Sequence, residues 1–321
     1  MRIAIVVPCT ASKRVPVGDL RISEVVGGEV DGEQRFRAWK RAVDAAEDVG
    51  PARELYAGPR WQASMRIPEA VAEQHEADLF IASAGLGLIL ADKSVPSYSA
   101  TFSRGSSDSV VAPGLSSSEQ RGARWQWWAA LPRKGPSLRS LAGDYERVVI
   151  VLSPDYLGAV AEDLREAVAV GGPNVLILGT GASSSRDLER NFVRVGRHLR
   201  ETTDERPKPV INGLDATLLQ STAVLVLQKQ PETWSDAPKV QRLLDDLADP
   251  SVETREAKDR RDRQPSTDEE VRAFVRTMLA ETGATASQLL HAWRNDEQRR
   301  CEERRFKRLF AEVAKEAPAH G

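Results

Sequence analysis

The sequence predicts an α/β fold: a mostly parallel central sheet flanked by helices, followed by a smaller helical module. Three observations carry this. Short, β-branched apolar runs recur along the first two thirds of the chain, as expected of parallel strands buried on both faces. Amphipathic stretches at helical spacing lie between them. Beyond residue 265 the pattern becomes wholly helical. The expected boundaries are 1–230 for the α/β domain, 231–265 for a charged linker and 266–321 for the helical module.

The strand candidates are Ile3–Val7, Leu79–Ala82, Val148–Leu152 and Val175–Leu178, and Ala223–Leu227 reads as strand or buried helix. Between them, Gln34–Glu47 places Phe36, Trp39, Val43 and Ala46 on one helical face. Ser118–Leu131 does the same with Trp125, Trp128 and Leu131, and Leu157–Val168 follows Asp155 as a further helix. Trp125, Trp127 and Trp128 cannot share one face, so one of them is expected to be exposed. Ser103–Ser118, rich in Ser and Gly, reads as a mobile loop. Glu253–Gln264 carries nine charged residues in twelve and reads as a solvated connection. Near the end, Ser266 with Glu269 has the spacing of a capping box that opens a helix over Asp268–Glu281, closed by Gly283. Two more helices follow, in "TASQLLHAWR" and "EQRRCEERRFKRLFAEVAKE", a helix-turn-helix-like count. Arg294–Phe310 holds seven basic and four acidic residues, which makes Arg299, Arg304 and Arg305 the candidate DNA contacts.

Composition narrows the class. Apolar residues make up 41% and charged residues 29% of 321, and the formal charge is −2, so a uniformly basic nucleic-acid coat is excluded while a local basic face is not. No apolar run reaches the length of a membrane span, and the first one is too short for a signal-peptide core. Two cysteines far apart in sequence give no disulfide framework, which fits reduced thiols in a cytoplasm. Four isolated histidines give no metal spacing, and no metal or other cofactor is expected.

Ligands of open α/β sheets bind beyond the carboxyl ends of the strands. The four strand ends run into "PCTASK", "SAGLGL", "SPDY" and "GTGASSS", each offering small residues, hydroxyls or a charge. Candidate ligand contacts are therefore Cys9, Ser12, Lys13, Ser83, Gly85, Gly87, Thr180 and Ser183. Several also have a plain alternative. Cys9 reads more readily as a small buried apolar residue than as a nucleophile, Lys13 equally as a surface charge, and Gly85 and Gly87 as the needs of a tight turn. "GTGASSS" lacks the lysine and full glycine pattern of a nucleotide loop. Asp155 reads either as a helix cap or as a working carboxylate. Tyr56, Tyr98 and Thr101 lie in "ARELYAG" and "PSYSATF", which offer aromatic faces if the loops converge.

Taken together, "CTASK" (9–13), "ARELYAG" (52–58), "SAGLGL" (83–88) and "PSYSATF" (96–102) resemble a bacterial and phage family. Its outline is similar to the peroxide-stress family called YaaA and to the uracil-DNA-glycosylase-like domain attached to archaeosine-type transglycosylases. The resemblance covers about the first hundred residues. It implies a uracil-DNA-glycosylase-like fold and a phage-defence DNA glycosylase that removes a modified base such as glucosylated hydroxymethylcytosine. The chain has neither the "GQDPY" nor the "HPSP" loop of standard uracil-DNA glycosylases. On this reading Asp155 or Asp92 is the catalytic carboxylate, Tyr56 and Tyr98 hold the base, and Ser12, Lys13, Ser83 and Thr180 contact phosphate or sugar. Loop 103–118 would cover the site and Cys9 would pack. Two other readings stand beside it: a non-catalytic DNA-binding stress protein and a nucleotide N-glycosidase.

Overall fold

The computed structural model describes residues 1–103, 106–131, 135–180, 185–196, 199, 210–211, 214–215, 217–229, 231–234, 236–247, 264–282, 286–295 and 299–316. Ser183 and most of the charged stretch Glu253–Gln264 lie outside them. The chain divides into two compact units, Met1–Ala248 and Asp249–Gly321.

In chain order the first unit runs β1 (Arg2–Pro8), α1 (Ile22–Val26), α2 (Gly32–Ala45), β2 (Gly50–Pro51), α3 (Ala52–Leu55), α4 (Pro59–Glu69), β3 (Glu76–Ser83), β4 (Gly87–Leu90) and β5 (Ser94–Val95). It continues with α5 (Ser117–Ala130), α6 (Leu138–Asp144), β6 (Arg147–Val151), α7 (Pro154–Ala159), α8 (Ala161–Gly171), β7 (Val175–Thr180), β8 (Phe192–Val195), α9 (Leu218–Leu227), α10 (Pro231–Trp234) and α11 (Ala237–Leu247). This is a mixed α/β unit. Its six-stranded sheet has the order β4-β3-β1-β6-β7-β8, parallel throughout except for β4 against β3.

β1 sits at the centre, with Val6 opposite Phe80 of β3 on one side and Ile150 of β6 on the other. Helices cover both faces, so Ile3–Val7 and Val148–Val151 are buried without alternation. α5 packs on α7, α6 on α8 and α4 on α9. The chain leaves β1 for β3 on one side and leaves β6 for β7 on the other. The point where the winding reverses therefore lies between the carboxyl ends of β1 and β6, where α/β sheets open a crevice.

The structure decides some expectations and corrects others. The ambiguous run Ala223–Leu227 is part of α9, buried on most sides, with the Thr222 hydroxyl satisfied by the Leu218 carbonyl. β4 and β8 were not foreseen; each is four residues, too short for a periodic signal. "SAGLGL" is the turn into β4, with Ser83 opposite Gly87 and Gly87 at φ +79°, a conformation that favours glycine. Trp125 is the exposed tryptophan, at 43%, while Trp127 and Trp128 are buried. Loop 103–118, expected to be mobile, is pinned where it is described. Val110 and Val111 are buried in the core, and the Arg35 guanidinium donates to the Ser109 carbonyl at 3.1 Å. The first unit also extends past 230, because Trp234, Val240 and Leu244 of α10 and α11 are buried in its core.

In the second unit, helices span Asp268–Thr282, Ala286–Asn295 and Glu303–Glu316. They enclose a separate core of Val271, Val275, Leu289, Leu290, Trp293, Cys301, Phe306, Leu309 and Val313. The capping box falls one residue later than the sequence suggests. Thr267 accepts from the Glu270 backbone N–H at 3.2 Å, and its own N–H donates to the Glu270 carboxylate at 2.7 Å. Ser266 is instead buried, within 3.4 Å of the Trp293 indole N–H.

Candidate active site at the carboxyl edge of the sheet

β1 stops at Pro8, which has no N–H to continue the ladder, although the Cys9 N–H still reaches the Ala82 carbonyl at 3.0 Å. The chain then turns against the segment after α3. Thr10 Oγ1 donates to the Ala57 carbonyl at 3.1 Å, the Ala57 N–H to Ser12 O at 3.0 Å, and the Arg14 N–H to Leu55 O at 2.8 Å. This short ladder sets Lys13 opposite Tyr56. The Lys13 ammonium donates to the Thr10 carbonyl at 2.6 Å and lies 4.8 Å from the Tyr56 ring centre and 5.0 Å from that of Tyr98. Lys13 is half-buried. Burial pulls its pKa below the ordinary lysine value, and the influence of nearby Cys9 and Asp108 only partly offsets this.

Beneath the lysine runs a chain of hydroxyls. Ser83 Oγ accepts the backbone N–H groups of Gly85 at 3.2 Å and Leu86 at 2.9 Å. With both lone pairs used, its proton points to Tyr98 Oη, 2.5 Å away. The Tyr98 proton then passes to Tyr56 Oη at 2.7 Å, leaving the Tyr56 O–H as the outgoing donor. Ser83, Tyr56 and Tyr98 are fully buried. Burial first, and the neighbouring Cys9 second, push both phenols well above their ordinary value, so they stay neutral. The "SAGLGL" turn is held from behind by two indoles: Trp127 Nε1 donates to Ala84 O at 2.7 Å and Trp39 Nε1 to Gly85 O at 2.8 Å. A methyl group on Gly85 would stand 2.7 Å from the Tyr98 ring, which explains the glycine there without any ligand.

β6 supplies the other wall. Cys9 Sγ lies 3.0 Å from Tyr156 Oη, across the point where the winding reverses. Tyr156 packs edge-on against Phe102, ring centres 5.1 Å apart. Next to it Asp155, in the first turn of α7, lies 3.5 Å from the Arg124 guanidinium. Arg124 is 3% exposed and Asp155 33%, and Arg124 Nε is anchored on the Phe102 carbonyl at 3.1 Å.

The expected residues therefore divide. Cys9, Lys13, Ser83, Gly85, Tyr56 and Tyr98 come together, joined by Tyr156, and Asp155 stands beside that tyrosine. Ser12 is exposed at the rim and Thr180 half-buried at the end of β7. Gly87 serves the β3–β4 turn. Asp92 does not join them. β4 runs antiparallel and returns the chain toward the amino end of β3, where Asp92 pairs with Arg53 at 2.6 Å. The role expected for Tyr56 and Tyr98 also changes, because fully buried rings present no open face to a flat base.

Sequence reasoning missed Asp108. It accepts hydroxyls from Ser23 and Ser99, both at 2.6 Å, and lies 3.5 Å from Arg21. Burial raises its pKa, but these donors outweigh that and leave it below the ordinary value. Thr101 belongs to this turn: its N–H donates to Asp108 O at 2.9 Å, and its hydroxyl oxygen accepts from the Ser103 N–H at 3.0 Å. The signal was a lone carboxylate within the serine-rich stretch "RGSSDS", read there only as loop composition.

Two of the three candidate DNA contacts are engaged within the second unit. Arg299 pairs with Glu270 and donates to Gln264 at 3.1 Å, and Arg305 Nε reaches Asp268 at 2.7 Å. Arg304 is on the same helix as Arg305, and its side chain lies outside the described residues. Among the described residues no group of three or more His, Cys, Asp or Glu is placed to hold a metal, and no helix is long and apolar enough to cross a membrane. No family model, no curated protein and no solved structure matches this chain.

Proposed function

We propose that this protein is a DNA glycosylase that excises a modified base, such as glucosylated hydroxymethylcytosine of phage DNA, and leaves an abasic site. On this reading the first unit is a uracil-DNA-glycosylase-like catalytic domain and the second a helix-turn-helix-like module that meets the duplex. The observation that carries the proposal is the convergence of a half-buried lysine, a chain of neutral hydroxyls and a restrained carboxylate at the carboxyl ends of β1, β3 and β6.

Breaking an N-glycosidic bond develops positive charge at C1′. Asp155, fixed by Arg124, is the carboxylate at this edge suited to stabilise that charge and to take a proton from the attacking water. The departing base leaves with a proton. Flipping the nucleotide costs a few kcal/mol, and its grip falls to Lys13, Ser12 and Thr180, which are not fully buried. Tyr56, Tyr98 and Ser83 act from behind, by fixing the position of Lys13.

One observation favours a second reading. Arg299 and Arg305 are spent on acidic partners inside the second unit, which weakens the case for a strong phosphate grip and favours an N-glycosidase acting on free nucleotides. Both readings are tested together. Unmodified, hydroxymethylcytosine and glucosyl-hydroxymethylcytosine duplexes are incubated with the protein and heated in alkali, beside the matching nucleotides. Alkali-labile breaks in a modified duplex support the DNA glycosylase. Free base from nucleotides alone supports the second reading, and neither product overturns both.

A further inference from the structure

We propose that Lys13 is a nucleophile toward the sugar aldehyde of an abasic site, so that this crevice carries a strand-cleaving lyase activity in addition to base excision. The inference rests on the glycosylase reading for its biological setting, but its chemistry concerns an abasic sugar however that sugar arises.

The geometry is that of a restrained, half-buried amine. Nζ is held at 2.6 Å from the Thr10 carbonyl, and the two phenol rings of Tyr56 and Tyr98 lie about it at 4.8 and 5.0 Å. Among the described residues no carboxylate forms an ion pair with it, although Asp108 acts on it at longer range. The groups facing Lys13 are thus a carbonyl, two neutral phenols, the Cys9 thiol and the more distant Asp108. The carbonyl and the ring faces hold the amine in place and favour its ammonium form, whereas burial away from water favours the free amine, which is how amines are prepared for imine chemistry. Burial indeed holds its pKa down. Half-buried on the loop that follows β1, it lies at the carboxyl edge of the sheet, where α/β folds take their ligands.

The steps balance without an oxidant. The Nζ lone pair adds to C1′ of the ring-opened aldehyde, and the carbinolamine loses water to give an iminium. Loss of a C2′ proton to solvent then expels the 3′ phosphate, breaking the C3′–O bond. Water finally hydrolyses the imine and frees the amine.

The test uses the full chain and a duplex with one preformed abasic site, so that no base excision is needed. Sodium borohydride reduces any imine to a stable covalent adduct. The expected result is an adduct with the wild-type protein, mapped by mass spectrometry to the peptide that holds Lys13, and absent from Lys13→Arg. No adduct, or an adduct mapped to Met1 or to another lysine, overturns the proposal. Mapping on the wild-type protein keeps the answer independent of whether a variant folds. Base release from modified duplex, measured separately, reports on the glycosylase reading alone.

Discussion

The Ser83 hydroxyl stands 2.5 Å from the Tyr98 phenol, and neither residue is exposed to solvent. The same oxygen accepts two backbone N–H groups, so one small side chain ties the "SAGLGL" turn to the tyrosine pair beneath Lys13. Ser83→Ala leaves the N–H groups of Gly85 and Leu86 and the Tyr98 oxygen without that partner. The expected loss of stability is about 1–3 kcal/mol, the desolvation cost of stranded buried polar groups. Urea denaturation of the two proteins checks it, and an unchanged midpoint would remove the hydroxyl chain from the account.

Gly85→Ala tests the packing against the same ring. Its methyl group would meet the Tyr98 ring at 2.7 Å and Trp39 at 2.9 Å, both side chains themselves enclosed. Overpacking of this kind costs about 1–3 kcal/mol. Thermal melting should fall accordingly, and any activity should fall with it, since the ring under Lys13 must move.

Asp108 gives a pH dependence with a defined sign. Its folded pKa lies below the ordinary 3.8. Its contribution is therefore fully present above that value and is lost as pH falls through the folded pKa. Asp108→Asn should lower stability at pH 7 and flatten the acid limb below about pH 4. Denaturation midpoints between pH 2 and 7 check this, and parallel curves for the two proteins would contradict it.

Arg305 was expected to contact DNA, yet its guanidinium is held by Asp268 and by the Ser266 carbonyl at 2.9 Å. Arg305→Ala and Asp268→Ala should each lower the melting of the second unit, and the double variant should fall less than the sum of the two. Strict additivity would show the pair to be idle and return Arg305 to the candidate DNA contacts.

The central strands were legible because burial on both faces leaves an uninterrupted apolar run, as in Ile3–Val7. β4 and β8 were not, since four residues carry too little pattern. The site was legible at Cys9, Lys13 and Ser83 because they end a strand or follow one within a few residues, and strand ends meet at one edge. Asp92 was misplaced because the hairpin at Gly87, which reverses the chain, is visible only in three dimensions. Tyr56 and Tyr98 drew attention as aromatic faces. That their hydroxyls matter, with their faces covered, depends on Trp39, Trp61 and Gly85 arriving from distant segments.

The central claim is most directly tested by looking for free modified base. Duplex DNA carrying glucosyl-hydroxymethylcytosine is incubated with the protein, and the small-molecule fraction is analysed by mass spectrometry. The account predicts release of the modified base by the wild-type protein, and none by an Asp155→Asn variant that melts as the wild type does. Binding of the duplex with no base released would contradict it.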